Sequence, residues 1–303
     1  MRIYNFGSMN IDNVFRVDQF IRPGESKIAR SLEAGCGGKG LNQSIACAKA
    51  GIETFHVGLI GEDGEMLRDA LAANGVRVQH VRTIPGRSGC TAIQIDDAGQ
   101  NCILVYSGTN NCYTEEWVDE VLDEMTGEDV ILLQNEINLT ATIIREAAKR
   151  GIRTAINAAP YTEALQEMPL GLVTWLIVNE IEGAGLIGLD VTGAGMEGVD
   201  FDRVMDRLRE KYPETEIVLT LGGSGSLYDG RDGRIRMPAR KVQAVDTTAA
   251  GDTFIGFFLS AALQGYPVQE ALRAATNASA LAVQVPGAAD SIPEKTVAEL
   301  LAE

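Results

Sequence analysis

The chain has 303 residues, of which 45% are hydrophobic and 22% charged, enough apolar material for one large α/β domain or two ordinary ones. Its formal net charge of -16 makes nucleic acid and anionic membranes unfavourable partners, because an acidic surface repels polyanions. The amino terminus reads as a strand rather than a signal peptide, and no apolar run could span a bilayer, which favours a cytoplasmic protein with reduced cysteines.

Strand-like and helix-like segments alternate over most of the length. In chain order, strands are predicted at residues 3–7, 54–60, 130–134, 153–157, 172–178, 216–221 and 241–245. Helices are predicted at residues 38–50, 64–74, 140–150, 201–212, 250–264, 267–283 and 294–302. Strands that alternate with helices are typical of parallel βαβ units, so the predicted fold class is α/β with a mainly parallel central sheet.

Two stretches, residues 12–34 and 91–106, lack a helical period. The first has a turn signal at Pro23-Gly24, and the second alternates apolar and polar residues around a hairpin turn at residues 96–99. Both are predicted to form antiparallel strands apart from the central sheet, as a small β-lid inserted in a single domain over residues 1–303. The alternative interpretation is that the two stretches are surface loops that do not form a lid.

The two histidines, His56 and His80, have no nearby Ser, Asp or Cys partner that suggests a catalytic triad. Both are expected to be structural, so any general base is expected to be a carboxylate.

The strongest motif is the run of small residues Ala249-Ala250-Gly251 before Asp252, at the start of an apolar helix. Small residues let a ligand approach the backbone, and the free N–H groups at a helix start favour an anion. An acid placed against that anion site, Asp252, is suited to take a proton from an attacking hydroxyl. Helix capping by Asp246 and Asp252 is the alternative, but it does not explain the small residues together with a second acid.

Glycines also surround Lys39 and Asn42, which offer hydrogen-bond donors to sugar hydroxyls or phosphate at the start of another helix. The segment is not a P-loop, because Gly40 stands where that motif needs Ser or Thr. Asn10 and Asp12 follow the first strand, and ligands of open α/β sheets bind beyond the carboxyl ends of strands. A glycine-rich turn and a polar turn are the structural alternatives.

Two later strands are also followed by candidate ligand residues. Glu182 follows the strand that ends at Val178, and a carboxylate there is suited to hold Mg²⁺ through water. The glycines of residues 220–225 follow another strand and leave room for a nucleotide. They do not form GxGxxG and no helix is predicted directly after them, which disfavours a Rossmann dehydrogenase.

Together these segments resemble the PfkB carbohydrate kinases, and among them the ribokinases, over nearly the whole chain. Residues 246–252 are similar to the C-terminal signature of that family and residues 37–42 to its N-terminal one. The resemblance implies a ribokinase-like three-layer α/β/α sandwich with a β-sheet lid that often forms a dimer contact. It also implies ATP-dependent phosphorylation of a primary sugar hydroxyl, most simply D-ribose to D-ribose 5-phosphate, with Mg²⁺ and K⁺.

The resemblance carries roles over to individual positions. Asp252 would be the base, and the backbone of Ala249, Ala250 and Gly251 the anion hole. Sugar-binding positions would be Asn10, Asp12, Gly38, Lys39, Asn42 and Glu136. Nucleotide positions would be Asn179, Thr220, Gly222, Gly225, Gly251 and Thr276, with Glu182 at Mg²⁺. Potassium positions would be Asp246, Thr248, Ala282, Val285, Gly287 and Ser291. Val285 departs from the more polar residue often found there, which matters little if its carbonyl is the ligand.

Other acceptors stay open within this class: another small sugar, a sugar acid, a sugar phosphate or a nucleoside. A nucleoside would require aromatic stacking from the lid, for which Phe15, Phe20 and Tyr106 are available. A sugar phosphate would require a basic cluster, for which the candidates are Lys27, Arg30 and Arg87. A catalytically silent sugar sensor is the alternative from another class, and an intact Asp252 argues against it.

Overall fold

The structure is a computed structural model, and it describes residues 1–189, 196 and 198–302. The strands, in chain order, are β1 (Ile3–Phe6), β2 (Asn10–Arg16), β3 (Ser31–Gly37), β4 (Thr54–Ile60), β5 (Arg77–Thr83), β6 (Gly89–Ile95), β7 (Asn101–Tyr106), β8 (Val130–Gln134), β9 (Arg153–Asn157), β10 (Trp175–Val178), β11 (Glu216–Thr220), β12 (Ser226–Gly230) and β13 (Gly233–Met237). The helices are α1 (Lys39–Lys49), α2 (Glu65–Ala73), α3 (Glu115–Asp123), α4 (Thr140–Lys149), α5 (Glu180–Leu186), α6 (Phe201–Lys211), α7 (Ala250–Leu263), α8 (Val268–Ala282) and α9 (Val297–Leu301).

The large sheet has the order β13-β12-β11-β10-β9-β8-β1-β4-β5. Its strands from β5 to β11 run parallel, and β12 and β13 add an antiparallel edge. Every residue of β4 and β8 is buried, as expected where helices cover both faces of a parallel sheet. One apolar core packs α1, α2, α7, α8 and α9 on one face, and a second packs α3, α4, α5 and α6 on the other. The predicted α/β/α sandwich is confirmed.

A separate four-stranded sheet has the order β3-β2-β6-β7, which confirms the predicted β-lid as a second sheet. Each insertion forms an antiparallel hairpin, and Gly99 adopts the positive φ of 76° that the second turn requires. The two hairpins join through their first strands, so β2 and β6 pair in parallel. The prediction that all lid strands are antiparallel was therefore wrong for this central pair.

The predicted strand at residues 241–245 is also wrong, because this segment is irregular and its Val245 is 64% exposed. The edge of the sheet is instead the hairpin of β12 and β13, which ends just before Pro238, a residue without an N–H for a sheet ladder. Sequence reasoning also missed β5 and α3, although Thr114 caps α3 by accepting from the Trp117 N–H. Among the described helices, none is long and apolar enough to cross a membrane.

Candidate active site

Helix α7 begins with a strained backbone. Ala249, at its N-cap, has φ 59°, a left-handed conformation that alanine rarely adopts. The N–H of Ala250 donates to the Thr247 carbonyl at 3.2 Å. Within the described residues, the N–H groups of Gly251 and Asp252 have no acceptor in bonding distance. The start of α7 therefore presents free N–H groups and the positive end of a helix dipole, which together favour an anion.

Asp252 lies in the first turn of α7 and is held by two amides of α1. The Asn42 Nδ2 donates to its Oδ2 at 3.0 Å, and the Gln43 Nε2 donates to its Oδ1 at 2.8 Å. Burial raises the pKa of Asp252, while the Lys39 ammonium and the two amides act in the opposite direction. The carboxylate is thus fixed in orientation beside the free N–H groups.

Lys39 and Glu136 form an ion pair next to Asp252, with 2.8 Å between Lys39 Nζ and Glu136 Oε1. The Ser8 hydroxyl donates to Glu136 Oε2, and so does the Lys39 backbone N–H at 3.3 Å. Burial disfavours the ammonium, but the carboxylates of Glu136 and Asp252 outweigh it and raise the pKa of Lys39. Lys39 is therefore a fixed cation at the start of α1.

Asn10 and Asp12 lie on one face of β2, where the lid meets the large sheet. Thr91 donates its hydroxyl to Asp12 Oδ1 at 2.7 Å, and Asn110 Nδ2 donates to Asn10 Oδ1 at 2.9 Å. Burial raises the pKa of Asp12, and the bond from Thr91 opposes that rise. A Cβ on the neighbouring Gly37 would lie 1.9 Å from Asp12 Oδ2, so only glycine leaves this carboxylate its space.

A cavity of 650 Å³ lies between the end of β11, the irregular segment 239–247 and helices α7 and α8. It contains most of the predicted nucleotide positions: Thr220, Gly222, Gly225, Gly251 and Thr276. Val242, Phe254 and Val283 add apolar walls that suit a planar base. The cavity reaches Ala250 and Gly251, so it opens directly onto the free N–H groups of α7.

Asn179 and Glu182 form a capping box at the start of α5 instead of lining this cavity. Asn179 Oδ1 accepts from the Glu182 N–H at 3.0 Å, and Glu182 Oε2 accepts from the Asn179 N–H at 2.7 Å. Burial raises the pKa of Glu182, which is 4% exposed. This pair has a structural role whether or not a metal binds, and the described residues contain no cluster of three metal-ligating side chains.

The pfkB family carbohydrate kinase model matches residues 2–295. The chain belongs to this family. Among curated relatives, it is 32% identical to a ribokinase of Haemophilus influenzae, covering 95% of this chain and 94% of that one. It is 30% identical to a deoxyribokinase of Salmonella typhi, with coverage of 97% and 96%.

Solved structures of pfkB-type ribokinases have the same fold. The Arabidopsis thaliana ribokinase complexed with ribose and ATP aligns with a TM-score of 0.84 and 27% identity, over 99% of this chain and 98% of that one. The Cryptococcus neoformans ribokinase in complex with ADP aligns with a TM-score of 0.81 and 29% identity, over the same shares.

Three of the positions that the pfkB resemblance assigns to potassium, Asp246, Thr248 and Gly287, are linked by hydrogen bonds just before the start of α7. Gly287 N–H donates to Asp246 Oδ2 at 3.0 Å, and Thr248 donates both its N–H and its hydroxyl to Asp246 Oδ1. Ala282 ends α8, Val285 is 44% exposed and Ser291 is buried in the turn that follows. Burial opposes the charge on Asp246, but these donors outweigh it and lower its pKa. The set offers oxygen atoms from side chains and carbonyls, which suit a hard cation.

Four side chains that sequence reasoning missed donate hydrogen bonds to predicted site residues: Ser8, Gln43, Thr91 and Asn110. Gln43 directly follows the predicted residue Asn42. Neighbouring residues on a helix point in different directions, so the sequence gave no reason to expect that both contact Asp252. Thr91 and Asn110 contact their partners across 79 and 100 residues of sequence, which no local pattern reveals. His56 in β4 is fully buried, with 2.8 Å between its Nδ1 and the Ser44 Oγ, and His80 is buried in β5 beside Glu124.

Proposed function

We propose that this carbohydrate kinase phosphorylates the primary hydroxyl of D-ribose with ATP, giving D-ribose 5-phosphate and ADP, in one kinase domain over residues 1–303. One observation carries the proposal: Asp252 lies between the free N–H groups of α7 and a cluster of carboxylates and amides suited to a polyol. The cavity beside α7 has room and apolar walls for the nucleotide. Several pfkB relatives named ribokinase support the choice of sugar.

In the proposed mechanism, Asp252 accepts the proton of the sugar hydroxyl as that oxygen attacks the γ-phosphorus. The bond between that phosphorus and the β,γ-bridging oxygen breaks, and ADP leaves with the bond electrons. Charge that develops on the phosphoryl oxygens faces the start of α7 at Ala249, Ala250 and Gly251, where the N–H groups of Gly251 and Asp252 are free to donate and that of Ala250 donates to Thr247. Asn10, Asp12, Asn42 and Glu136 would hold the other hydroxyls, and Gly38 would let the sugar approach the backbone. Catalysis is then positioning together with charge stabilisation.

Asn42 supplies a specific argument for a hydroxyl ligand. Its side chain is 5% exposed, and its Nδ2 is committed to Asp252. Its Oδ1 is buried without a partner among the described residues. A buried acceptor without a donor is costly, and a sugar hydroxyl beside Asp252 would satisfy it.

The arrangement of charges favours a neutral acceptor over a sugar phosphate or a sugar acid. Lys39 is already paired with Glu136. At the lid, Lys27 pairs with Asp18 at 3.0 Å and Arg30 pairs with Asp97.

A nucleoside is less well supported by the direction of the aromatic side chains. Side chains alternate between the two faces of a strand, so Phe15 points away from the face that carries Asp12. Tyr106 pairs with Cys90, one position from Thr91, and also lies on the opposite face. Neither ring is placed to stack on a base beside the predicted sugar site.

Two cations are proposed to support the reaction. Mg²⁺ would be held by the ATP phosphates and, through water, by Glu182, and it would supply positive charge to the transferring phosphoryl group. K⁺ would lie among Asp246, Thr248 and the carbonyls of Ala282, Val285 and Gly287, with Ser291 in the adjoining turn. In that position it would support the loop that carries the start of α7.

The lid is proposed to close over the sugar, to exclude water and so limit ATP hydrolysis. It is also proposed to join two chains as a homodimer, because every residue of β7 is exposed, including Ile103, Leu104 and Val105. We propose a cytoplasmic location on the basis of the acidic composition and the free cysteine thiols.

The test measures ADP release with a panel of pentoses, including 2-deoxyribose, and of hexoses, sugar acids, sugar phosphates and nucleosides, with and without K⁺. D-ribose is expected to give the highest kcat/KM, and K⁺ to raise the rate. A higher kcat/KM for 2-deoxyribose than for D-ribose would identify 2-deoxyribose as the preferred substrate. Absence of turnover on every acceptor would favour a sugar sensor.

Asp252→Asn tests the base directly. The variant is expected to bind ribose and to lose roughly 100- to 10,000-fold in kcat, the usual contribution of general base catalysis. Calorimetric sugar binding and steady-state kinetics on the same preparation measure both quantities. A kcat within a few fold of the parent enzyme would overturn the mechanism.

A further inference from the structure

Four buried amide side chains lie in a connected row behind Asp252: Asn5, Gln134, Gln43 and Asn157. Asn5 and Gln43 are fully buried, Gln134 is 1% exposed and Asn157 is 6% exposed. Buried amides destabilise a fold unless they are hydrogen-bonded, and here Gln43, in the middle of the row, also contacts the carboxylate of Asp252. The hydrogen-bond partners fix the direction in which these amides point.

Backbone carbonyls fix both ends of the row. Asn5 Nδ2 donates to the Gly40 carbonyl at 2.8 Å, and Asn157 Nδ2 donates to the Ile177 carbonyl at 3.3 Å. A carbonyl oxygen only accepts hydrogen bonds, so each of these amides must turn its NH₂ group toward the backbone. Their Oδ1 atoms are then acceptors for the two glutamines between them.

The orientations of the two glutamines follow from those of the asparagines at the ends of the row. Gln134 Nε2 donates to Asn5 Oδ1 at 3.0 Å and to Gln43 Oε1 at 2.8 Å. Gln43 therefore has its oxygen toward Gln134 and its NH₂ group toward Asn157 Oδ1, at 3.2 Å, and Asp252 Oδ1, at 2.8 Å. If the amide of Gln43 were rotated by 180°, its oxygen would face the oxygens of Asn157 and Asp252. Its NH₂ group would then face the NH₂ group of Gln134.

We propose that Gln43 is a positioning residue for Asp252, held by the amides of Asn5, Gln134 and Asn157 as an obligatory N–H donor to the carboxylate. The proposal rests on the proposed role of Asp252 as base. Gln43 would fix the plane of the carboxylate toward the sugar hydroxyl and keep the group ionised in a buried position. Its effect would reach the reaction through Asp252 and not through the sugar.

The charges that face Asp252 indicate the direction in which its pKa would change without Gln43. Burial raises the pKa of Asp252, and Glu136 adds to this rise, while Lys39, Gln43 and Asn42 oppose it. The base acts when ionised, so turnover is lost as pH falls through the pKa of Asp252. Without the Gln43 donor this pKa rises further, so the acid limb of the kcat profile moves to higher pH.

The experiment compares two substitutions with a matched control in the purified enzyme. Gln43→Met removes the donor while keeping similar side-chain volume, and Gln134→Met removes the residue that orients Gln43 without touching Asp252. Gln264→Met is the control, because Gln264 Nε2 links α7 to the Ala50 carbonyl at the other end of α1, at 2.9 Å. For each, kcat and sugar KM are measured from pH 5.5 to 9 in steps of about 0.5, with ADP affinity and thermal unfolding as checks of folding.

The acid limb is expected to move to higher pH in Gln43→Met, to move in the same direction by less in Gln134→Met, and to stay in place in Gln264→Met. Sugar KM is expected to change less than kcat, and ADP affinity to be unchanged. An unmoved acid limb in folded Gln43→Met overturns the proposal. Loss of kcat in Asp252→Asn together with that result would leave the base intact and reject the positioning role alone.

If neither methionine variant folds, the unmodified protein supplies the measurement. The side-chain amide protons of Gln43 are then followed in ¹H–¹⁵N spectra across the acid limb of kcat. They are expected to shift with the ionisation of Asp252, and resonances that do not titrate with it overturn the proposal.

Discussion

Three carboxylates and one ammonium meet where the sugar would lie: Asp12, Glu136, Asp252 and Lys39. Each carboxylate is held by a donor from a different part of the chain, so none rotates freely. Burial raises the pKa of both Asp12 and Asp252, which makes each ionised group dependent on its donor. At this scale a shift of about one ångström in one acceptor is enough to lose a hydroxyl contact.

Gly37→Ala is expected to weaken sugar binding, because its Cβ would lie 1.9 Å from Asp12 Oδ2 and 2.7 Å from Asp12 Cγ. Asp12 must then rotate and lose the Thr91 bond. A hydrogen bond to a charged group is worth about 1.5–3 kcal/mol, so ribose KM should rise roughly tenfold or more, with a smaller change in kcat. Steady-state kinetics with ribose as the varied substrate measures the effect.

Gly35→Ala is the matched control on the same strand, because a Cβ there meets no atom within 4 Å. Equal ribose KM values for the two alanine variants would remove the steric argument for Gly37. Unchanged ADP affinity in both would place any effect at the sugar end of the site.

Helices α1 and α7 together carry the proposed catalytic group, since α1 carries Asn42 and Gln43 and α7 carries Asp252. They approach closely because α7 has glycine at position 256, where an added Cβ would lie 2.3 Å from the Cβ of Ala46. It would also lie 2.9 Å from backbone atoms of Ala46 and Cys47, which cannot turn aside as a side chain can. The spacing of the two helices therefore sets the contact between the base and its amides.

Gly256→Ala is expected to reduce both stability and turnover. Overpacking of this kind destabilises by about 1–3 kcal/mol, and separating the helices lengthens the bonds from Asn42 and Gln43 to Asp252. Urea unfolding and kcat on the same variant test the two effects together. Gly183→Ala in α5 is the control, since its Cβ would meet only the ends of side chains: Leu219 Cδ1 at 3.1 Å, Val178 Cγ2 at 3.5 Å and Leu208 Cδ1 at 3.6 Å. A fully stable Gly256→Ala enzyme with normal kcat would contradict this account.

Elements with a strong local signal were predicted well, and those defined by distant partners were not. Strands β4, β8 and β9 match their predicted bounds, and glycines at positive φ, such as Gly51 and Gly75, follow the ends of predicted helices. Residues 241–245 have the apolar alternation of a strand, yet the hairpin of β12 and β13 forms the sheet edge. The anion site could be proposed from sequence because it lies within four consecutive residues. The donors that orient its carboxylates depend on tertiary contacts.

At the scale of the whole molecule, the lid combines the sugar site with an apolar surface. The register places Val14 beside Ile93 and Ile93 beside Ile103, on the same face as Asp12 and Thr91. Val105 continues this aliphatic face, and Ile103 and Val105 are 52% and 54% exposed. The opposite face mixes Asn13, Ala92 and Gln94 with its apolar residues, so the Asp12 face is the better surface for a second copy of the chain.

Ile103→Glu is expected to convert the proposed homodimer to a monomer, because a carboxylate buried in an aliphatic interface costs several kcal/mol. A cost of about 3 kcal/mol raises the dissociation constant more than 100-fold, which light scattering coupled to size-exclusion chromatography resolves as a halved mass. Leu104→Glu is the matched control, since Leu104 is 73% exposed on the adjacent position and points to the opposite face. It is expected to leave the mass unchanged. A monomer in Leu104→Glu with a dimer in Ile103→Glu would assign the interface to the other face, and a monomeric parent protein would reject the dimer.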